Sequence, residues 1–177
     1  MTITAGLPTH QRIQQHLDDG IPLPVDLTGA ALFHLGSYSE DTPHGFDVLY
    51  MNPTTSTRFN PYMPGFIRRL GLRAVGGKGG LDAACTRAMQ DEGCVYLSFL
   101  GGGCPLLSDA ITGVVSVHWP DLIPHFRLVT LRVEGLGPLT VGIDAHGNSL
   151  YDQLHNSAAQ RMPAILDAMR AERDATQ

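Results

Sequence analysis

Arg58 and Lys78 lie twenty residues apart, and each is surrounded by residues that make turns rather than core. Arg58 closes the stretch Asn52-Pro53-Thr54-Thr55-Ser56-Thr57-Arg58, which follows an apolar run at residues 46–51 and precedes a helical pattern near Met63–Leu70. Threonine and serine hydroxyls therefore stand where a strand hands over to a helix. In open α/β sheets, that position outside the carboxyl ends of the strands is where small ligands bind. Hydroxyls and the free N–H groups of a helix start would face an anion together. The guanidinium of Arg58 adds a planar fork suited to a carboxylate. Lys78 sits in Gly76-Gly77-Lys78-Gly79-Gly80, where glycines let the backbone approach a ligand while the ammonium supplies point charge. Each charge-assisted bond to a carboxylate contributes ~1.5–3 kcal/mol. A Pro-Thr-Thr-Ser-Thr turn alone is more often a helix cap than a site. A lysine between glycines gains nothing from helix or strand propensity, and it moves the balance toward a carboxylate site.

The elements that must hold these residues alternate between strand and helix. Residues 10–19 have helical spacing, with Thr9 as cap and Gly20 as stop. Residues 30–35 read as a buried strand, and 37–45 as a polar loop carrying Glu40, Asp41 and His44. Residues 72–75 form a short strand into the lysine turn. Residues 81–92 read as a helix with Leu81, Cys85, Ala88 and Met89 on one face and Gly93 as stop. Residues 94–100 are the next strand. Gly101-Gly102-Gly103 then turns into a short helix at 106–111 and can present N–H groups to an anion. Residues 113–119, 128–134 and 139–144 read as strands, 144–148 as a turn and 149–151 as extended chain. Residues 158–172 form a last amphipathic helix, for packing or partner contact. About seven strands and four helices in mixed order predict one α/β domain over residues 1–177, with 153–177 as a C-terminal helical extension.

A chain of 177 residues, 43% hydrophobic and 16% charged, suits one globular domain with a proper core. A net charge of −5 without a Lys/Arg cluster argues against nucleic acid as a partner. No apolar run approaches the roughly 20 residues of a membrane span. The start, Met1-Thr2-Ile3-Thr4-Ala5-Gly6, lacks the pattern of a signal peptide, so a cytoplasmic protein is expected. Cys85, Cys94 and Cys104 are an odd number without a C-x-x-C, which writes neither a disulfide framework nor a zinc knuckle nor a ferredoxin-type cluster. Buried, reduced thiols and no metal in this chain are the expectation. Gly79 after Lys78 excludes a nucleotide P-loop, and no G-x-S-x-G nucleophile elbow occurs. His118, His125 and His146 read as surface or packed histidines.

Pro53-Thr54-Thr55-Ser56-x-Arg58 with Pro61-Tyr62, followed by Gly77-Lys78-Gly79, resembles the beta subunit of two-subunit L-tartrate dehydratase and class I fumarase. In one-chain class I fumarases it resembles the C-terminal domain. Val95-Tyr96-Leu97, Leu100-Gly101-Gly102, Leu106-Leu107, Trp119-Pro120-Asp121-Leu122, Val141-Gly142-Ile143-Asp144 and Gly147-Asn148-Ser149-Leu150-Tyr151 continue the likeness in order, over roughly residues 10–152. The resemblance implies a mixed-sheet, β/β/α-layered domain of the swivelling kind. It also implies a hydro-lyase that binds a small hydroxy(di)carboxylate through Thr54, Thr55, Arg58 and Lys78 for reversible hydration and dehydration. A 4Fe–4S cluster would sit on an alpha subunit, with none in this chain, and a homo- or hetero-oligomer would form.

By the same resemblance, Thr54 and Lys78 are the catalytic positions. Thr54 is the candidate base and Thr55 a substrate contact. A threonine hydroxyl is a poor base unless nearby cations such as Lys78 and Arg58 lower its pKa, and both threonines acting only as hydrogen-bond donors is the other reading. His10 matches a histidine of the family's first helix, where capping is an equal alternative. Two rival functions remain: a stand-alone member acting without a cluster on another acid, as isomerase, cyclase or hydratase, and a non-catalytic binding subunit.

The chain departs from the family in three places. Gly6 and Leu7 stand where an Arg-Asp is usual, Asn52 replaces a glycine, and Ile123-Pro124-His125-Phe126 covers a common Gly-Pro-Glu. The expectation is a roomier, more apolar Gly6 end that faces a less charged group of the substrate. Unless another cation such as Arg12 or a partner residue takes over, turnover of fumarate and L-tartrate should be poor.

Overall fold

The computed structural model describes residues 1–175. The chain runs β1 (Thr2–Ile3), α1 (Leu7–Asp19), β2 (Ala31–Phe33), β3 (Leu35–Thr42), β4 (Gly45–Pro53), α2 (Met63–Leu70) and β5 (Ala74–Gly77). It continues through α3 (Ala83–Glu92), β6 (Val95–Ser98), α4 (Cys104–Ser108), β7 (Ile111–His118), β8 (Leu128–Val133), β9 (Thr140–Ile143) and α5 (Leu150–Ala175). Two 3₁₀ turns, Ser56–Phe59 and Pro124–Phe126, carry the chain past the site described below.

Seven strands form one sheet in the order β7-β8-β1-β2-β5-β6-β9. Its centre, β1-β2-β5-β6, is parallel, and β8, β7 and β9 join antiparallel at the flanks. Successive residues of a strand point to opposite faces, so Leu32 of β2 enters one core and Phe33 the other. The first core lies under α1, α2 and α3, with Ile13, Phe66, Ile67, Val75 and Met89 fully buried. Each such side chain contributes ~1.5–3 kcal/mol by leaving water. The second core, with Ile3, Leu35, Met51 and Leu131, lies under the β3–β4 hairpin and α4. Hairpin, sheet and helices thus make the β/β/α-layered arrangement.

Local chemistry sets the helix ends. Asp82 caps α3 by accepting from the N–H groups of Ala84 and Cys85 at 3.1 and 3.0 Å, and Gly93 closes it in the left-handed conformation. α1 ends on Gly20 as expected but begins at Leu7, so Thr9 lies inside the helix. Its hydroxyl donates to the carbonyl of Phe126 instead of capping.

Three expectations are corrected. Residues 37–45 are strand and hairpin turn, because the inward side chains of β3 include Ser37 and Ser39, buried but not apolar. A pattern of hydrophobicity cannot register such a strand. The two-residue β1 is too short to show a period, yet it is central to the sheet. α5 starts at Leu150, so 149–151 is a helix start, with the Ser149 hydroxyl accepting from the Asp152 N–H at 3.2 Å. Among the described residues there are nine strands and five α-helices rather than about seven and four. α5 buries none of its described residues and leaves Leu154, Met162, Ile165, Leu166 and Met169 exposed. Residues 176 and 177 of the expected 153–177 extension lie outside the described residues. No helix among the described residues is long and apolar enough to cross a membrane.

Candidate active site

Strands β2 and β5 are parallel neighbours, so their carboxyl ends open on the same edge of the sheet. The chain returning from β4 lies across that edge. The Thr54 N–H donates to the His34 carbonyl at 2.9 Å, the Lys78 N–H to the Thr54 carbonyl at 3.0 Å, and the Ser56 N–H to the Lys78 carbonyl at 2.8 Å. Thr55 and Lys78 are thereby paired as in a parallel ladder. Two turns twenty residues apart in sequence become backbone neighbours. The same bonds consume the N–H groups of Thr54, Ser56 and Lys78, so they do not face a ligand as expected. Side chains carry the site.

Thr54 and Lys78 line one side of an open cleft of about 270 Å³. Tyr50, Asn52 and His125 line the rest, over Ala5 and Gly36. Arg58, exposed at the edge, donates through Nη2 to the Thr54 hydroxyl oxygen and through Nε to the Thr55 carbonyl at 3.4 Å. Thr55 is half-buried, and its methyl lies beside Gly79. Thr54, Thr55, Arg58 and Lys78 are thus together, with Thr54 and Lys78 lining the cleft and Arg58 hydrogen-bonded to the Thr54 hydroxyl.

A buried polar network supports the turn. Ser56, fully buried, places its hydroxyl 2.8 Å from His34 Nδ1 and 2.9 Å from the Tyr96 hydroxyl. His10 stacks on Phe59 at 3.8 Å with the rings 4° from parallel. Its Nδ1 lies 2.7 Å from the Gly6 carbonyl. A carbonyl only accepts, so Nδ1 carries the proton and the buried, unpartnered Nε2 is a bare lone pair. His34 Nε2 is likewise buried without a partner. Burial pushes the His10 imidazole down to about 4, against the Gly6 carbonyl bond and with help from Arg58. His34 is held well below its ordinary value by burial, then by His10 and Arg58. Both rings are neutral packing groups behind the site. His10 does not line the cleft.

The glycines around Lys78 also serve the fold. A methyl on Gly77 would strike the Ser56 hydroxyl, and one on Gly80, at φ 77°, would sit 2.5 Å from the Tyr151 ring. They allow protein to pack on protein where ligand approach was expected. In the Gly101-Gly102-Gly103 turn, Gly101 lies beside the Lys78 side chain, whereas Gly103 borders an apolar recess of about 210 Å³ with Leu100, Leu106, Leu107, Pro138 and Leu139.

The Gly6 end is closed rather than roomy. A methyl on Gly6 would lie 2.6 Å from the Thr9 hydroxyl and 2.7 Å from Phe126 Cβ. The Pro124–Phe126 turn fills this space and turns His125 into the cleft, where Nε2 lies 2.8 Å from the Tyr50 hydroxyl. Arg12 does not line the cleft; its guanidinium holds the Asp121 carboxylate at 3.0 and 2.7 Å. Tyr50 escaped the reading of the sequence and His125 read as a surface or packed histidine, because the two lie 75 residues apart and belong to no local motif. The one available signal was His125 falling inside the segment that departs from the family.

Each of the three thiols lies against a partner of its own. Cys85 faces the Asn60 carbonyl at 3.8 Å, Cys94 the Val95 carbonyl at 3.7 Å and Cys104 the Ser108 hydroxyl at 3.7 Å. Burial pushes the Cys85 thiol up and the Cys94 thiol up to about 12, which disfavours the thiolate a metal needs. Among the described residues no three His, Cys, Asp or Glu side chains converge to hold a metal ion.

The turn after the β3–β4 hairpin brings a hydroxyl, and the turn after the parallel strand β5 an ammonium, to one small cleft at the carboxyl edge of a mixed sheet, a place where α/β proteins can take small ligands. The fumarase C-terminus family matches residues 2–154, and the chain belongs to that family. It is 32% identical over 146 residues to the L(+)-tartrate dehydratase subunit beta of Escherichia coli (strain K12), covering 82% of this chain and 73% of that one. It is 30% identical over 164 residues to a Methanocaldococcus jannaschii protein provisionally named L(+)-tartrate dehydratase subunit beta, covering 92% of this chain and 84% of that one. A Geobacillus stearothermophilus protein provisionally named class I fumarate hydratase is 33% identical over 140 residues, which are 78% of this chain and 27% of that protein.

Proposed function

We propose that this chain is the beta-type component of a hydro-lyase that hydrates and dehydrates a small hydroxy acid. The observation that carries the reading is the cleft in which the Thr54 hydroxyl, gripped by Arg58, faces the same space as Lys78. Lys78 holds a substrate carboxylate. Thr54 Oγ1 takes the proton from the carbon next to that carboxylate. The C–H electron pair becomes the double bond as the neighbouring C–O bond breaks and hydroxide leaves. The guanidinium hydrogen bond favours the deprotonated threonine, which is what lets a hydroxyl act as a base. Thr55 positions the turn through its backbone pairing with Lys78.

Stabilising hydroxide needs an electrophile that this chain's thiols do not fit, and the reading assigns a 4Fe–4S cluster to an alpha-type partner. The beta-subunit names of the relatives support such a partner, as does the exposed apolar side of α5. The test is anaerobic co-purification of the tagged chain from its own host. The expected result is a second, cysteine-rich polypeptide with iron, whose complex with this chain dehydrates a 2-hydroxy acid. Thr54→Val and Lys78→Ala should each reduce kcat/KM at least about a hundredfold. A chain recovered alone, turning over an acid without iron, would replace this reading with the stand-alone one.

A further inference from the structure

Lys78 is the only lysine or arginine lining the cleft among the described residues, and no aspartate or glutamate lines it. The far side is a built hydrogen-bonding surface instead. Tyr50 and Tyr38 are direct partners across the β3–β4 hairpin, with rings 6.2 Å apart and 17° from parallel. His125 stands against both rings, at 5.9 Å from Tyr50 and 6.2 Å from Tyr38. The backbone fixes its position, since the Ala5 N–H donates to the His125 carbonyl at 3.1 Å and the Thr4 hydroxyl to the Phe126 carbonyl at 3.1 Å. A phenol bonded to one imidazole nitrogen keeps further donor or acceptor capacity on its oxygen. Asn52 adds an amide on the same side.

We infer that Tyr50 and His125 are the specificity residues of this cleft, and that its ligand is a small acid with one carboxylate and a neutral hydrogen-bonding group at the other end. The inference rests on the carboxylate reading of Lys78. An amide, hydroxyl or carbonyl satisfies the Tyr50–His125 pair without bringing a second charge. A second carboxylate there would lose water and meet no lysine or arginine of the cleft lining in return. Tyr50 and His125 are half-buried, so a ligand group that cannot hydrogen-bond to them displaces water from both without replacing its bonds.

Succinate and its half-amide, succinamate, have nearly the same shape and differ in charge at one end, so they test the inference directly. Each is titrated by calorimetry at pH 8 into the full chain, with any co-purified partner present. Succinamate should bind at least about tenfold tighter than succinate. Tyr50→Phe and His125→Gln should each shrink that preference to about threefold or less, and His125→Arg should invert it toward succinate. Circular dichroism checks that each variant is folded. Tighter succinate binding that Lys78→Ala weakens, with the ratio unmoved by Tyr50→Phe and His125→Arg, would overturn the inference while leaving the carboxylate site in place. Affinities indifferent to Lys78→Ala would overturn the carboxylate reading and the inference with it.

Discussion

The wall of the cleft carrying Thr54 and Lys78 is backbone-locked and backed by a fully buried network, His34–Ser56–Tyr96. The wall carrying Tyr50 and His125 rests on a hairpin and a 3₁₀ turn at the surface, the turn tied to the segment after β1 by the Thr4 hydroxyl and the Ala5 N–H and to α1 by the Thr9 hydroxyl. The first wall is built to hold a charge in place, and its neighbours cannot change without leaving buried polar groups unpaired. The second can exchange its side chains more cheaply. Charge recognition therefore belongs to the rigid wall and discrimination between acids to the adaptable one.

Acid should separate the two walls most. His10 and His34 are neutral in the fold, whereas the unfolded chain takes up their protons below the ordinary 6.5. Their contribution to stability is complete above that pH. It is lost as pH falls toward about 4, by roughly 3 kcal/mol for His10. His34 acts in the same direction. Urea unfolding at pH 7.5 and at pH 4.5 should show the loss, and an unchanged midpoint would show that the buried rings do not govern stability.

Ser56→Ala should be the next most damaging change. It leaves His34 Nδ1 buried without a partner, at about 1–3 kcal/mol, and removes one of the hydrogen bonds of the Tyr96 hydroxyl, which also interacts with Gly80 and Tyr151. Tyr96→Phe removes one hydroxyl and keeps the His34–Ser56 bond, so it should cost only about 0.5–1.5 kcal/mol. Denaturant midpoints for the pair would rank them, and a reversed ranking would deny the network its role.

On the other wall, Gly6→Arg should destabilise by about 1–3 kcal/mol, because the new side chain enters space held by Thr9 and Phe126. Adding Phe126→Gly should recover part of the loss. Thermal melts of the single and double variants would show whether Gly6 and Phe126 are coupled, and simple additivity would say they are not. Arg12→Ala should change least. Its pair with Asp121 is solvent-exposed, with side chains 30% and 61% accessible, and such pairs contribute ~0–1 kcal/mol. Succinamate affinity should not move, since Arg12 is absent from the cleft lining.

Sequence alone determined the Thr54–Arg58 turn, Lys78 and the helices around them, and the family resemblance added the layered fold. These features are local: a capped helix, a strand-to-helix turn and a glycine-flanked cation each declare themselves within about ten residues. Tertiary structure alone decided that Thr54 and Lys78 share backbone hydrogen bonds, that Arg58 turns onto Thr54, and that glycines 77 and 80 serve packing. It alone turned residues 37–45 into strand, since buried serines carry no hydrophobic period. It also closed the Gly6 end with Phe126 and paired Tyr50 with His125 across 75 residues. Those contacts depend on how the hairpin and the 3₁₀ turn dock on the sheet, and no spacing along the chain encodes the direction in which a surface side chain will finally point.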